Sequence, residues 1–134
     1  MAFQLSVAVR TGKAGAIATA VGASPILKLF SGAEPANCAA ADPAGPLASI
    51  TLPATWLAAA ASGAVSMTGT WAGTASAAGT AASFRIYDST GTTCHLQGSC
   101  SLSGAGGDMI LSNTNLASGQ SFSVTSFKQT EGNA

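Results

Sequence analysis

Among the residues able to carry chemistry, the chain offers one histidine, His95, and three cysteines, Cys38, Cys94 and Cys100. Its acidic side chains are few, and Asp42, Asp88 and Asp108 stand far apart in sequence. A hydrolytic or transfer enzyme needs a nucleophile and a base within hydrogen-bond reach, or two carboxylates flanking one bond. Cys94 and His95 are adjacent in sequence, so on a regular strand their side chains leave opposite faces and cannot form such a pair. No GxSxG elbow is present. Zinc would require four converging ligands, which three dispersed cysteines and one histidine do not supply. Cys94 and Cys100 would lie about 20 Å apart on a continuous strand, too far for a disulfide. The expectation is three reduced thiols, with Cys94 buried beside Ile86. The residues point to no enzyme, no metal and no cofactor.

The stretch around His95 predicts a β-hairpin, ASFRIYDSTGTTCHLQG. Phe84 and Ile86 alternate with Ser83, Arg85 and Tyr87, as in a half-buried strand. Ser89-Thr90-Gly91 reads as a three-residue loop with Gly91 in the left-handed conformation. That loop would pair Asp88 with Thr92, Ile86 with Cys94 and Phe84 with Leu96. Phe84, Ile86, Cys94 and Leu96 would then make an apolar face. Arg85, Tyr87, His95 and Gln97 would make a polar one, with His95 across from Arg85.

Around the hairpin, residues 3–21 read as a helix with Leu5, Val9, Ala16, Ile17 and Ala20 inward and Arg10 and Lys13 outward. Residues 26–31 and 47–52 read as strands, separated by a long loop, 32–46, rich in proline and alanine. Loops of that length are usually functional or mobile. Residues 55–63 suggest one or two helical turns, with Trp56 and Leu57 plugging the core. A strand with a possible bulge at Gly69 follows over 64–73, where Trp71 reads as core. The hairpin's second strand runs on to 103, and 104–108 make a turn. Residues 109–116 and 121–130 form a closing hairpin in which Phe122, Val124 and, after a change of phase, Phe127 face inward. The last residues, 131–134, are expected to fray.

Seven or eight strands with turns about every ten residues predict a mainly β protein. The expected fold is an antiparallel β-sandwich or jelly roll with an N-terminal α-helix, the helix (1–22) and the sandwich (23–134) forming one unit. Only 7% of the 134 residues are charged, with five Lys+Arg, five Asp+Glu and zero net charge. So neutral a chain lacks the basic patch that nucleic acid requires, and little repulsion keeps copies apart. No stretch reaches the roughly 20 apolar residues of a membrane span, so neither nucleic acid nor membrane is an expected partner.

Three segments, SPILKLFSGAEPANCAAADPAGPLASITLP, GTWAGTASAAGTAASFRIYDSTGTTCHLQGS and GGDMILSNTNLASGQSFSVTSF, together with the start LSVAVRTGKAGAIATAVG, resemble a family of small virion proteins of tailed bacteriophages. Some members resemble capsid cement, or decoration, proteins: jelly-roll domains that form homodimers or homotrimers and bridge major capsid protein subunits. The resemblance implies a structural protein on the outer head surface of the virion, made in the bacterial host cytoplasm. A tail, collar or fibre-associated module, or a carbohydrate-binding β-sandwich, are the alternatives. Contacts are expected from Arg10 and Lys13 on the helix and from Glu34, Asn37 and Asp42 on the long loop. Self-association is expected through a sheet edge or the polar face with Arg85, Tyr87 and His95.

Overall fold

The computed structural model describes residues 3–43 and 45–131; the expected fraying of 132–134 lies outside these. Among the described residues ten strands follow one helix: α1 (Val7–Val21), β1 (Ile26–Phe30), β2 (Ala48–Thr51), β3 (Ala64–Ser66), β4 (Ala72–Thr74), β5 (Gly79–Thr80), β6 (Ser83–Tyr87), β7 (Cys94–Ser101), β8 (Met109–Leu111), β9 (Asn115–Leu116) and β10 (Ser121–Thr130). Eight of them join in one curled sheet, in the order β2-β1-β6-β7-β8-β10-β3, with β4 also on β10; β5 and β9 form a second, two-stranded sheet. The fold is a β-sandwich with an N-terminal helix. Pairing is antiparallel except between β7 and β8, where Cys100 meets Met109 and Ser101 meets Ile110 in parallel.

Curling brings distant strands face to face around the aromatic residues. Phe84 of β6 meets Phe127 of β10 edge-on at 5.6 Å, Phe127 meets Trp71 at 5.6 Å, and Trp71 meets Trp56 at 5.9 Å. Rings at these separations in tilted and T-shaped arrangements attract beyond their area burial. The phase change expected in the last strand is a register shift between Val124 and Ser126; it lets Phe122, Val124 and Phe127 all enter the core. Where β2 closes over β4, a Cβ on Gly73 would collide with Ile50 Cγ2, so a side chain there would hold the layers apart.

Two expectations about local structure are corrected. Residues 55–63 are not helical: Leu57 bridges Met67 and Ala61 bridges Ala64, while Ala58 N–H donates to Ser66 O and Thr68 N–H to Trp56 O. Alanine's helix preference is a few tenths of a kcal/mol per residue over most alternatives, and burying Trp56 and Leu57 in an extended segment outweighs it. The strand expected over 64–73 is divided into β3 and β4, with Gly69 at φ +74° between them.

The helix is present but rotated from its expected phase. Ser6 caps it, accepting from Val9 N–H at 3.2 Å. Its buried residues are Ala14 and Val21, with Ile17 and Ala18 partly buried against the core, whereas Phe3, Val7 and Val9 are 74%, 53% and 50% exposed. Gly15 faces Ala60, where a Cβ would stand 3.6 Å from Ala60 Cβ, in ordinary contact. Thr11 Oγ1 accepts from Gly63 N–H at 2.9 Å, and Trp56 Nε1 donates to Gly22 O at 3.0 Å. The helix is thus built into the same core as the strands.

Candidate functional site: a polar clamp beneath the 35–43 strap

Every residue of β6 is buried. Phe84 and Ile86 point into the core, while Ser83, Arg85 and Tyr87 point outward and are covered by the long loop. β1 pairs with β6 so that Lys28 stands beside Arg85. Like charges directly opposite each other across two strands repel, and the loop supplies the counter-charge. Asp42 Oδ1 accepts from Arg85 Nη1 at 2.7 Å and from the Tyr87 hydroxyl, while Lys28 Nζ lies 3.9 Å from Asp42 Oδ2 and 4.4 Å above the Tyr87 ring.

The rest of the loop is fastened through its backbone. Arg85 Nη2 donates to Cys38 O at 2.8 Å and to Asn37 O at 3.4 Å. Gln97 Nε2 donates to Pro35 O at 2.6 Å, and Ser83 Oγ to Gly32 O at 2.6 Å. Asn37 Oδ1 turns the chain by accepting from the N–H groups of Ala39 and Ala40 at 3.0 and 3.1 Å. Residues 35–43 therefore form a strap over the outer face of the sheet. Charged and backbone-directed hydrogen bonds of this kind leave little freedom.

Beneath the strap lies a cleft of about 270 Å³ whose walls include Lys28, Asp42, Arg85, Tyr87 and the two thiols of Cys38 and Cys94. Burial alone would push the Asp42 carboxyl up, but the hydrogen bonds from Tyr87 and Arg85 and the charges of Lys28 and Arg85 hold it below its ordinary value. Burial, together with donation to Asp42, raises Tyr87 well above an ordinary phenol. Burial first, then the neighbouring Cys38, pushes the Cys94 thiol up to about 11. At neutral pH the cleft so holds an ionised carboxylate, a protonated phenol and a protonated thiol. These are the states of a clamp, and none is an activated nucleophile.

The hairpin register differs from the expected one. Ile86 pairs with Leu96, Phe84 with Gly98, Arg85 with Gln97 and Tyr87 with Cys94, with a shift between Ile86 and Tyr87. Two features cause this. Asp88 Oδ1 accepts from Thr92 and Thr93 N–H at 3.0 and 3.4 Å and Asp88 N–H donates to Thr93 O, so the turn is longer than three residues, although Gly91 is left-handed at φ +73°. The Phe84 ring also lies over Gly98, where a Cβ would stand 2.9 Å from Cε1. Consequently Cys94 lies half-buried in the clamp and not in the core beside Ile86; Cys100 takes the core position.

The candidate residues are dispersed. Arg85 and Tyr87 are 1% and 4% exposed, which removes them from any open polar face. Asp42 and Asn37 join them through the strap. Glu34 is exposed. His95 does not face Arg85; it lines a separate cleft with Lys13, Ile17 and Leu96 against α1. Lys13 pairs with Glu131 at 3.6 Å, and Arg10 is packed against Gly63. Lys28, Cys38 and Cys94 were not expected at the site. The lone lysine in the otherwise apolar strand ILKLF was the one local signal for Lys28. Among the described residues no group of three or more His, Cys, Asp and Glu could hold a metal ion, and no helix is long and apolar enough to cross a membrane. No family model, curated protein or solved structure matches the chain.

Proposed function

We propose that this chain is a structural virion protein, a capsid cement protein that seats on the outside of a phage head and contacts the major capsid protein. The likeness of its segments to small proteins of tailed phages is the starting point. The observation that carries the reading is the apolar set Phe3, Val7 and Val9, 74%, 53% and 50% exposed, at the start of a helix whose other side is built into a sandwich. Three large apolar side chains left exposed within seven residues of a sparsely charged chain favour a protein–protein contact at this end of the helix. With zero net charge, attachment would rest on apolar burial and resist salt.

Because Ala14 and Val21 belong to the core, removing the helix would damage the fold, so the test uses surface substitutions. Phe3→Ser, Val7→Ser and Val9→Ser are combined, and the folded variant is added to heads lacking the protein. Copies bound are counted after sedimentation. The expected result is lost occupancy for the triple variant and salt-resistant occupancy for the wild type. Equal occupancy would remove the helix from the contact, and binding to tails but never to heads would overturn the cement reading.

A further inference from the structure

Cys38 and Cys94 line the same cleft, one on the strap and one on β7, although they are remote in sequence. Both flanks of Cys38 are held in place. Arg85 Nη2 fixes the carbonyl of Cys38 itself at 2.8 Å, and Asp42 is gripped by Arg85 and Tyr87. Cys94 is the strand partner of Tyr87, so the residue that anchors the end of the strap also positions the second thiol. Cys94 Sγ donates to Leu96 O at 3.3 Å, and the Cys38 side chain acts on the Cys94 thiol as a neighbouring group. Cys100 is buried in the core and has no part in the cleft.

We propose that Cys38 and Cys94 are a dithiol site that closes to an intramolecular disulfide, converting the hydrogen-bonded strap into a covalent one when the surroundings become oxidising. A reducing compartment keeps both as thiols. The oxidant class is a small-molecule disulfide such as oxidised glutathione. The Cys38 thiolate, on the strap, attacks one sulfur of that disulfide and releases one glutathione thiolate. The Cys94 thiolate then attacks the Cys38 sulfur of the mixed disulfide. A Cys38–Cys94 bond forms, the second glutathione thiolate leaves, and both leaving groups take up the protons that the two cysteines gave to solvent. Two electrons pass from the protein dithiol to one glutathione disulfide. The raised pKa of Cys94 leaves little of it as thiolate at neutral pH, so ring closure quickens as pH rises. Cross-linking two remote positions restricts the unfolded chain and the strap together.

The test incubates the full-length protein with oxidised glutathione at about pH 8, quenches with acid, alkylates under denaturing conditions and maps the peptides. Three alkylatable thiols should fall to one, Cys100. A linked Cys38–Cys94 peptide should appear on a monomer lighter by two hydrogens, and reduction should restore all three thiols. Cys94→Ser should stop the reaction with glutathione retained on Cys38, which separates ring closure from simple reactivity. Persistent glutathione on wild-type Cys38, a linkage to Cys100, a cross-linked dimer or three unchanged thiols would each overturn the proposal.

Discussion

The two faces of β6 reach the same degree of burial by different means. Phe84 and Ile86 are 2% and 0% exposed, and Ser83, Arg85 and Tyr87 are 0%, 1% and 4% exposed. Inward, apolar side chains meet aromatic rings from β10 across a curled sheet, and the stabilisation scales with area removed from water. Outward, a hydroxyl, a guanidinium and a phenol are shielded by a loop without regular structure. Their burial is tolerable because nearly every donor finds a carbonyl or Asp42. Apolar packing is indifferent to which atoms touch, whereas the outer face depends on individual atoms being where they are. The inner face should therefore fail by degrees of volume, and the outer one by the loss of single groups.

Phe84→Ala probes the inner face and should have the largest effect. Removing a buried ring from between Gly98 and Phe127 should cost about 3–5 kcal/mol, read as a lower denaturant midpoint, with faster hydrogen exchange throughout the sheet. Arg85→Ala should come next, at about 1.5–3 kcal/mol, the range for hydrogen bonds to charged groups. It stays below the cost of orphaning a fully buried charge because the Asp42 side chain is 34% exposed and water can reach it. Its exchange signature should be local, confined to residues 35–43. An Arg85→Ala loss spread over the whole sheet would mean that the strap belongs to the same cooperative unit as the core.

Alternation in ASFRIYD was enough to distinguish the two faces of β6, and a lone phase change was enough to bring Phe127 inward after Val124. Both are local patterns with a fixed period. Polarity, however, does not determine exposure: the alternation marked Arg85 and Tyr87 as polar but held no sign that a segment more than forty positions away would cover them. The Asp42–Arg85 pair is purely long-range and leaves no mark on either segment's composition. The hairpin register was missed for a smaller reason, since the Asp88 carboxylate lengthens the turn and one shift beside Tyr87 moves Cys94 to the other face. The same shift hid the placement of Cys38 and Cys94 in one cleft. Of the candidate residues, Asp42, Asn37, Arg85 and Tyr87 meet at the strap, and Lys13 and His95 line a separate cleft.

Acid separates the faces without mutation. The Asp42 carboxyl titrates lower in the folded protein than its ordinary value, so its contribution is complete above the unfolded-state value of about 3.9. That contribution is lost as pH falls through the lower folded value. The stability difference between wild type and Asp42→Asn, measured in urea, should accordingly be flat from neutral pH down to about 4 and shrink below it. The other carboxylates are common to both proteins and cancel. A difference that stayed constant far below pH 4, or shrank well above it, would mean that the ionised carboxylate is not what holds the strap.

The smallest effect is expected at Lys28, and it decides whether the outer face is held by charge or by direction. Lys28 Nζ is 3.9 Å from Asp42 Oδ2, longer than a good charge-assisted hydrogen bond, and it stands across the strand from Arg85. Its attraction to Asp42 and its repulsion from Arg85 therefore oppose each other. Lys28→Met removes both terms together with the ammonium's attraction to the Tyr87 ring, which a thioether–ring contact of similar size replaces. A partly exposed ion pair is worth about 0.2–1 kcal/mol, and relief of a cross-strand like-charge contact returns a similar amount. The net change in unfolding free energy should then lie within about 0.5 kcal/mol, with little dependence on added salt. A loss as large as that of Arg85→Ala, itself weakened by salt, would mean that summed charge secures the strap. The directed bonds of Arg85 and Tyr87 would then be secondary, and the contrast between the two faces would reduce to one of polarity.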